Sequence, residues 1–127
     1  MANYISLKGG KYKLYLAALQ NDKLNLLKVG VTKFVDAKNR FVYNHQAFTE
    51  GIEQDSYINI FPNITICDSV IVESKERAEE LEAIILSRWG DKDFWIESKL
   101  SGITESRKYT PQRYAVAKNV INGAGKR

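Results

Sequence analysis

The feature that most constrains the fold is a pair of short segments patterned as strands on either side of a turn. Residues 12–19, Tyr-Lys-Leu-Tyr-Leu-Ala-Ala-Leu, are apolar and aromatic, as a strand is. Gln20-Asn21-Asp22-Lys23 is turn chemistry. Residues 24–32 then alternate: Leu27, Val29 and Val31 point one way, Lys28, Gly30 and Thr32 the other. The pattern predicts an antiparallel hairpin. Gly30, on the Lys28 side, is expected to leave open space beside the sheet.

The elements that follow predict the rest of the layout. Asp36 is the expected cap of a helix over about 37–49, stopped at Gly51. Residues 57–61 and 64–72 read as β-rich, with Pro62-Asn63 between them. Ser74 caps the clearest helix, 75–89. Residues 93–97 suggest a short strand or an aromatic turn, and 98–110 a loop. Pro111 opens a last helix that ends at Asn122-Gly123. The fold class implied is α+β: a small, mainly antiparallel sheet flanked by helices. The expected organisation is a single domain over residues 1–127, since a chain of this length fits one core.

Composition removes several function classes. Cys67 is the single cysteine, so no internal disulfide forms. His45 is the only histidine, which leaves no Cys₄ or Cys₂His₂ zinc set and only one group for a Ser-His-Asp triad. There is no signal-like start and no apolar run of about 20 residues, so a cytoplasmic location with no membrane partner is expected. Charge is uneven: residues 1–98 hold 12 Lys/Arg against 14 Asp/Glu, while 99–127 hold seven basic residues against Glu105. The positive excess at the C-terminal end suggests a polyanion, or else only a solvated helix and tail.

The helix at 75–89 carries one anomaly. At about 100° per residue, Ala78, Leu81, Ile85, Leu86 and Trp89 form an apolar stripe, and Glu82 falls within it at about 40°, between Trp89 and Leu86. Glu76, Glu79 and Glu80 lie off the stripe. A carboxylate there needs a cationic partner, an opening to water, or work as a metal ligand or acid–base group in a cleft. The hairpin offers neighbours: Tyr15 on one strand, Lys28 on the other, and Arg40 followed by Tyr43 and His45 on the next helix. A phenol, cations and a carboxylate suit phosphodiester chemistry. Each also has a plainer reading: Tyr15 as core, Lys28 as a solvent-facing strand residue, Arg40 paired with Asp36 one turn earlier.

In this order the residues resemble the GIY-YIG nuclease family. Lys13-Leu14-Tyr15 is similar to its first triplet and Lys28-Val29-Gly30 to its second, with lysine where the namesake tyrosine stands. Arg40 follows at a suitable distance, and Ala78-Glu79-Glu80-Leu81-Glu82 places Glu82 at the family's metal-binding position. The family's asparagine after that helix is absent, and Asp93-Phe94-Trp95 stands in the region instead. The resemblance spans 12–97, leaving 98–127 as a basic loop-helix extension.

The resemblance implies a DNA endonuclease using Mg²⁺ or Mn²⁺ held by Glu82. Tyr15, helped by Lys28, would activate water, and Arg40 would clamp the phosphate. His45 or Tyr43 would assist proton transfer. Lys33, Lys108, Arg113 and Lys118 are the expected contacts to double-stranded DNA. A double-strand cut would need a homodimer or two visits. The competing readings are a non-catalytic nucleic-acid or protein binding module on a nuclease-like fold, and an unrelated α+β interaction protein.

Overall fold

The computed structural model describes residues 4–125. It is an α+β fold in which β1 (Tyr12–Gln20), β2 (Asn25–Thr32), β3 (Asn63–Val72) and β4 (Ser106–Lys108) form one antiparallel sheet, ordered β3-β1-β2-β4. The helices are α1 (Asn39–Thr49), the single turn α2 (Tyr57–Ile60), α3 (Lys75–Trp89) and α4 (Pro111–Gly125). None of the described helices is long and apolar enough to cross a membrane.

The hairpin forms as the sequence pattern requires, with Tyr15 opposite Gly30 and Ala17 opposite Lys28. β3 pairs along the other edge of β1, so β1 is central and Leu14, Tyr15, Leu16 and Ala17 are all buried. Leu14, Leu16, Leu27 and Val29 point to one face, where they pack against Ala78, Leu81, Ile85 and Trp89 of α3 and Ala117 and Ile121 of α4. Tyr15, Ala17, Leu19 and Leu26 point to the other, against Phe41 of α1, Tyr57, Phe61 and Leu100.

Several expectations are corrected. Residues 57–60 are helical, not strand. The Ser56 hydroxyl accepts from the Asn59 amide to cap the turn, and Tyr57 and Phe61, four residues apart, are both buried. Over so short an apolar run, one helical turn and a strand bury side chains equally well. Phe61 is extended, as the residue before Pro62 must be. Asp36 is not the cap of α1. Its carboxylate accepts from the Lys38 amide, and the helix begins at Asn39. Residues 93–97 form no strand. The strand lies instead inside the expected loop, as the three residues of β4, and the last helix runs on to Gly125.

Nor is the segment from residue 98 an appendage. β4 extends the sheet through Leu26, Leu27 and Lys28, and α4 contributes Ala117 and Ile121 to the core. Burying Ile121 alone is worth about 2 kcal/mol. β4 stops opposite Lys28, so the last residues of β2 have no strand neighbour on that side among the described residues. Side chains from both faces of the sheet converge past that short strand.

Candidate active site

A cleft of about 750 Å³ opens there. Tyr15, Lys28, Arg40, Tyr43 and Glu82 all line it, as does Lys33. They come from β1, β2, α1 and α3 and from the turn after β2.

Glu82 is half-buried, whereas Glu76, Glu79 and Glu80 are exposed. Its carboxylate makes no hydrogen bond or ion pair with any described residue, so a buried salt bridge does not explain its place on the apolar stripe. Desolvation, followed by the charge of Glu105, pushes its carboxyl from an ordinary 4.5 to about 7, against the pull of Lys28. The Arg40 side chain likewise has no hydrogen bond or ion pair among the described residues, and is not tied to Asp36. The cleft therefore holds a half-buried carboxylate, Glu82, and a guanidinium, Arg40, whose charges are unspent.

Lys28 is only 4 % exposed. Its ammonium donates to the Gly102 carbonyl at 3.0 Å and to Glu105 Oε1 at 3.1 Å. Burial lowers its pKa, and the Glu105 charge opposes that shift. A lysine faces inward here because β4 and the turn before it roof the face that the hairpin pattern alone leaves open to water.

Tyr15 is 1 % exposed. Its ring fills the space over Gly30, where a methyl group would overlap the phenol. The open space expected beside Gly30 is thus occupied by Tyr15 itself. Burial raises the Tyr15 pKa well above its ordinary value, and Arg40 only partly offsets this. The phenol keeps its proton at neutral pH, so a phenolate base stabilised by Lys28 and Arg40 is not supported.

No family model, curated protein or solved structure matches the chain.

The remaining sequence-named residues lie apart. His45 is not among the cleft-lining residues, and its Nδ1 is 2.7 Å from the Ser56 hydroxyl at the start of α2. Lys108, Arg113 and Lys118 do not line the cleft either. Arg113 sends Nε and Nη2 to the Trp89 carbonyl (3.1 and 2.9 Å) and Nη1 to Asp93 and the Lys108 carbonyl (2.7 and 2.9 Å). It closes the C-terminal end of α3, where carbonyls lack partners within the helix. Lys118 pairs with Asp68 of β3 at 3.3 Å. Asp93 accepts from the Lys108 amide and from Arg113, so this acid of the acidic-aromatic segment is a structural staple.

Glu105 is the cleft residue that sequence reasoning missed. It counted only as the lone acid in a basic tail, and that isolation among seven basic residues was the available signal.

The donor set fits a hard divalent cation. Among the described residues no three His, Cys, Asp or Glu gather into a metal cage. Mg²⁺ needs none: it is commonly held by one or two carboxylates, with water and phosphate oxygens completing the shell. Glu82, unpaired and burdened by the neighbouring charge of Glu105, is such a carboxylate.

Proposed function

We propose that this chain is a metal-dependent endonuclease that hydrolyses DNA phosphodiester bonds at one GIY-YIG-like site. The observation that carries the reading is the meeting of unpaired Glu82 and unpaired Arg40 in a cleft that also holds Tyr15 and Lys28. Glu82 would hold Mg²⁺ or Mn²⁺, which supplies charge stabilisation at the phosphate and its leaving oxygen. Arg40 clamps a non-bridging phosphate oxygen through its planar fork of donors.

Lys28 takes the role of base. As a neutral amine it has two N–H groups, enough for Gly102 and Glu105, and its lone pair is left to accept a proton from water. Burial, which disfavours its ammonium, supports that assignment. Tyr15, diagonal to Lys28 in the strand register and held protonated, donates a hydrogen bond and orients the reacting oxygen.

The test is cleavage of supercoiled plasmid. Nicking is expected with Mg²⁺ or Mn²⁺, none with chelator, and loss of cleavage by Glu82→Ala at an undiminished melting temperature. No cleavage with either metal, or an equally active Glu82→Ala, overturns the reading. The alternative, a DNA- or protein-binding module on a nuclease-like fold, is favoured by one observation: Lys28 already has two protein partners. It predicts salt-sensitive DNA binding without cutting.

A further inference from the structure

Three aromatic rings share one wall of the cleft. Tyr4, Phe34 and Tyr43 all line it. Their ring centroids are 5.3 Å apart for Tyr4 and Phe34, 5.5 Å for Tyr4 and Tyr43, and 5.9 Å for Phe34 and Tyr43. The first two are anchored. The Tyr4 hydroxyl donates to Gln46 Oε1 at 2.6 Å. Phe34 forms a β-bridge with Ser6, flanked by bonds from the Leu7 amide to the Lys33 carbonyl and from the Val35 amide to the Ile5 carbonyl. Phe34 is 7 % exposed and Tyr43 is 51 % exposed. Two fixed rings thus prop a third that still presents a large surface to the cleft.

Cations share the cleft lining with that ring. Arg40 lies one turn before Tyr43 on α1, and residues so spaced share a helix side. Lys33, exposed, precedes Phe34. A fixed aromatic face beside a free guanidinium suits a nucleotide, the ring taking the base and the cation the phosphate. Charge balance points the same way. The lining holds four basic residues, Lys28, Lys33, Arg40 and Lys75, against four glutamates. Phosphate attraction alone is then weak, and apolar contact must supply part of any affinity.

We propose that Tyr43, backed by Tyr4 and Phe34, stacks on an unpaired nucleobase beside the phosphate held by Arg40. The cleft would then prefer single-stranded or locally opened DNA to uniform duplex, whose bases must first be unstacked. This rests on reading the cleft as a nucleic-acid site, but it requires no catalysis.

The test is fluorescence anisotropy with a labelled single-stranded oligonucleotide and with its blunt duplex. The full chain carries Glu82→Gln, and no divalent cation is present. The single strand should bind more tightly. Adding Tyr43→Leu, which keeps apolar bulk but removes the ring, should weaken single-strand binding roughly 10- to 100-fold while sparing the duplex. The salt dependence should not change, since every phosphate-binding cation is still in place. Tyr43→Phe should bind like its parent. The proposal is overturned if Tyr43→Leu stays within twofold of its parent, weakens both substrates equally, or loses no more than Tyr43→Phe. If neither DNA binds at all, the nucleic-acid reading falls with it. Normal stacking without plasmid cleavage would sink only the enzymatic reading.

Discussion

The cleft and the seam where α3 meets the C-terminal segment use the same kinds of charged side chain in opposite ways. In the seam, Arg107 donates to three carbonyls, those of Gly90, Thr104 and Ser106. Arg113 makes four side-chain bonds, two to the Trp89 carbonyl and one each to Asp93 and Lys108. In the cleft, Arg40 and Glu82 make none with described residues. Net charge places the protein's positive surplus at the C-terminal end, yet two of its seven cations, Arg107 and Arg113, are spent on backbone carbonyls. The unspent charges of the cleft, Arg40 and Glu82, sit in the slightly acidic part of the chain. Whether a charge is spent or free, rather than how many there are, separates a scaffold from a site.

The sharpest way to break this comparison is to delete one arginine from each region. Arg40→Ala should lower plasmid cleavage by about 10²- to 10³-fold, the scale for removing one donor to a developing oxyanion. Its melting temperature should stay within about 2 °C, because the Arg40 side chain holds no bond in the folded protein among the described residues. Arg113→Ala should do the reverse. Removing its charged hydrogen bonds at the buried end of α3 should cost about 2–3 kcal/mol, roughly 10 °C in melting temperature at this chain length. Cleavage below the melting range should persist within a few-fold. An Arg40→Ala variant that melts much lower, or an Arg113→Ala variant that is stable but inactive, would invert the assignment.

A smaller effect tests the strain that a free charge imposes. The Glu82 carboxyl is raised from 4.5 to about 7 in the fold, so between those values the folded state binds more protons than the unfolded chain. Stability therefore falls as pH rises through that window and levels off above about 7. Water still reaches this half-buried group, so the penalty at pH 8 is about 1–2 kcal/mol. Glu82→Gln should melt higher than the native chain at pH 8, match it near pH 4.5, and be inactive throughout. Mg²⁺ should raise the melting temperature of the native chain at pH 8 and leave Glu82→Gln unmoved. Glu105→Gln should shift the acid limb of the cleavage profile to lower pH. Its charge raises the pKa of both Glu82 and Lys28, so removing it lets both deprotonate earlier. Equal melting of native and Glu82→Gln protein at every pH would show that Glu82 carries no such strain.

What the sequence made legible, and what it did not, follows from how local each signal is. The hairpin and α3 are set by neighbouring residues: alternation on β2, a cap at Ser74, and a stripe interrupted by Glu82. These are readable from the letters, and the stripe alone singles out Glu82, which the structure places in the cleft lining. α2 is not, because Tyr57 and Phe61 can be buried by a turn as well as by a strand. β4 is invisible because Ser106, Arg107 and Lys108 have no pattern of their own; their partner residues, Leu26–Lys28, lie far away in the chain. The roles of Glu105 and Arg113 depend on that same long-range pairing. Tyr15 shows the reverse failure. Its place on the cleft face is legible, but its protonation depends on burial under α1 and α2, which no triplet of letters encodes.

The smallest expected effect concerns the lysines expected to meet DNA. Removing one cation that neutralises a phosphate should reduce the slope of log affinity against log salt by about one. Lys33 lines the cleft, is exposed and makes no side-chain hydrogen bond among the described residues, so Lys33→Ala should flatten the slope by that amount on any sequence. Lys118 is already paired to Asp68, with side-chain exposures of 35 % and 21 %. Lys118→Ala should leave the slope unchanged and cost no more than about 1 kcal/mol of stability. Titrating both variants over the same salt range decides where the backbone of DNA runs. A flattened slope for Lys118→Ala and an unchanged one for Lys33→Ala would move the interface from the cleft to the seam where α4 meets β3, because a lysine bound to Asp68 can release counterions only if DNA takes it from that partner.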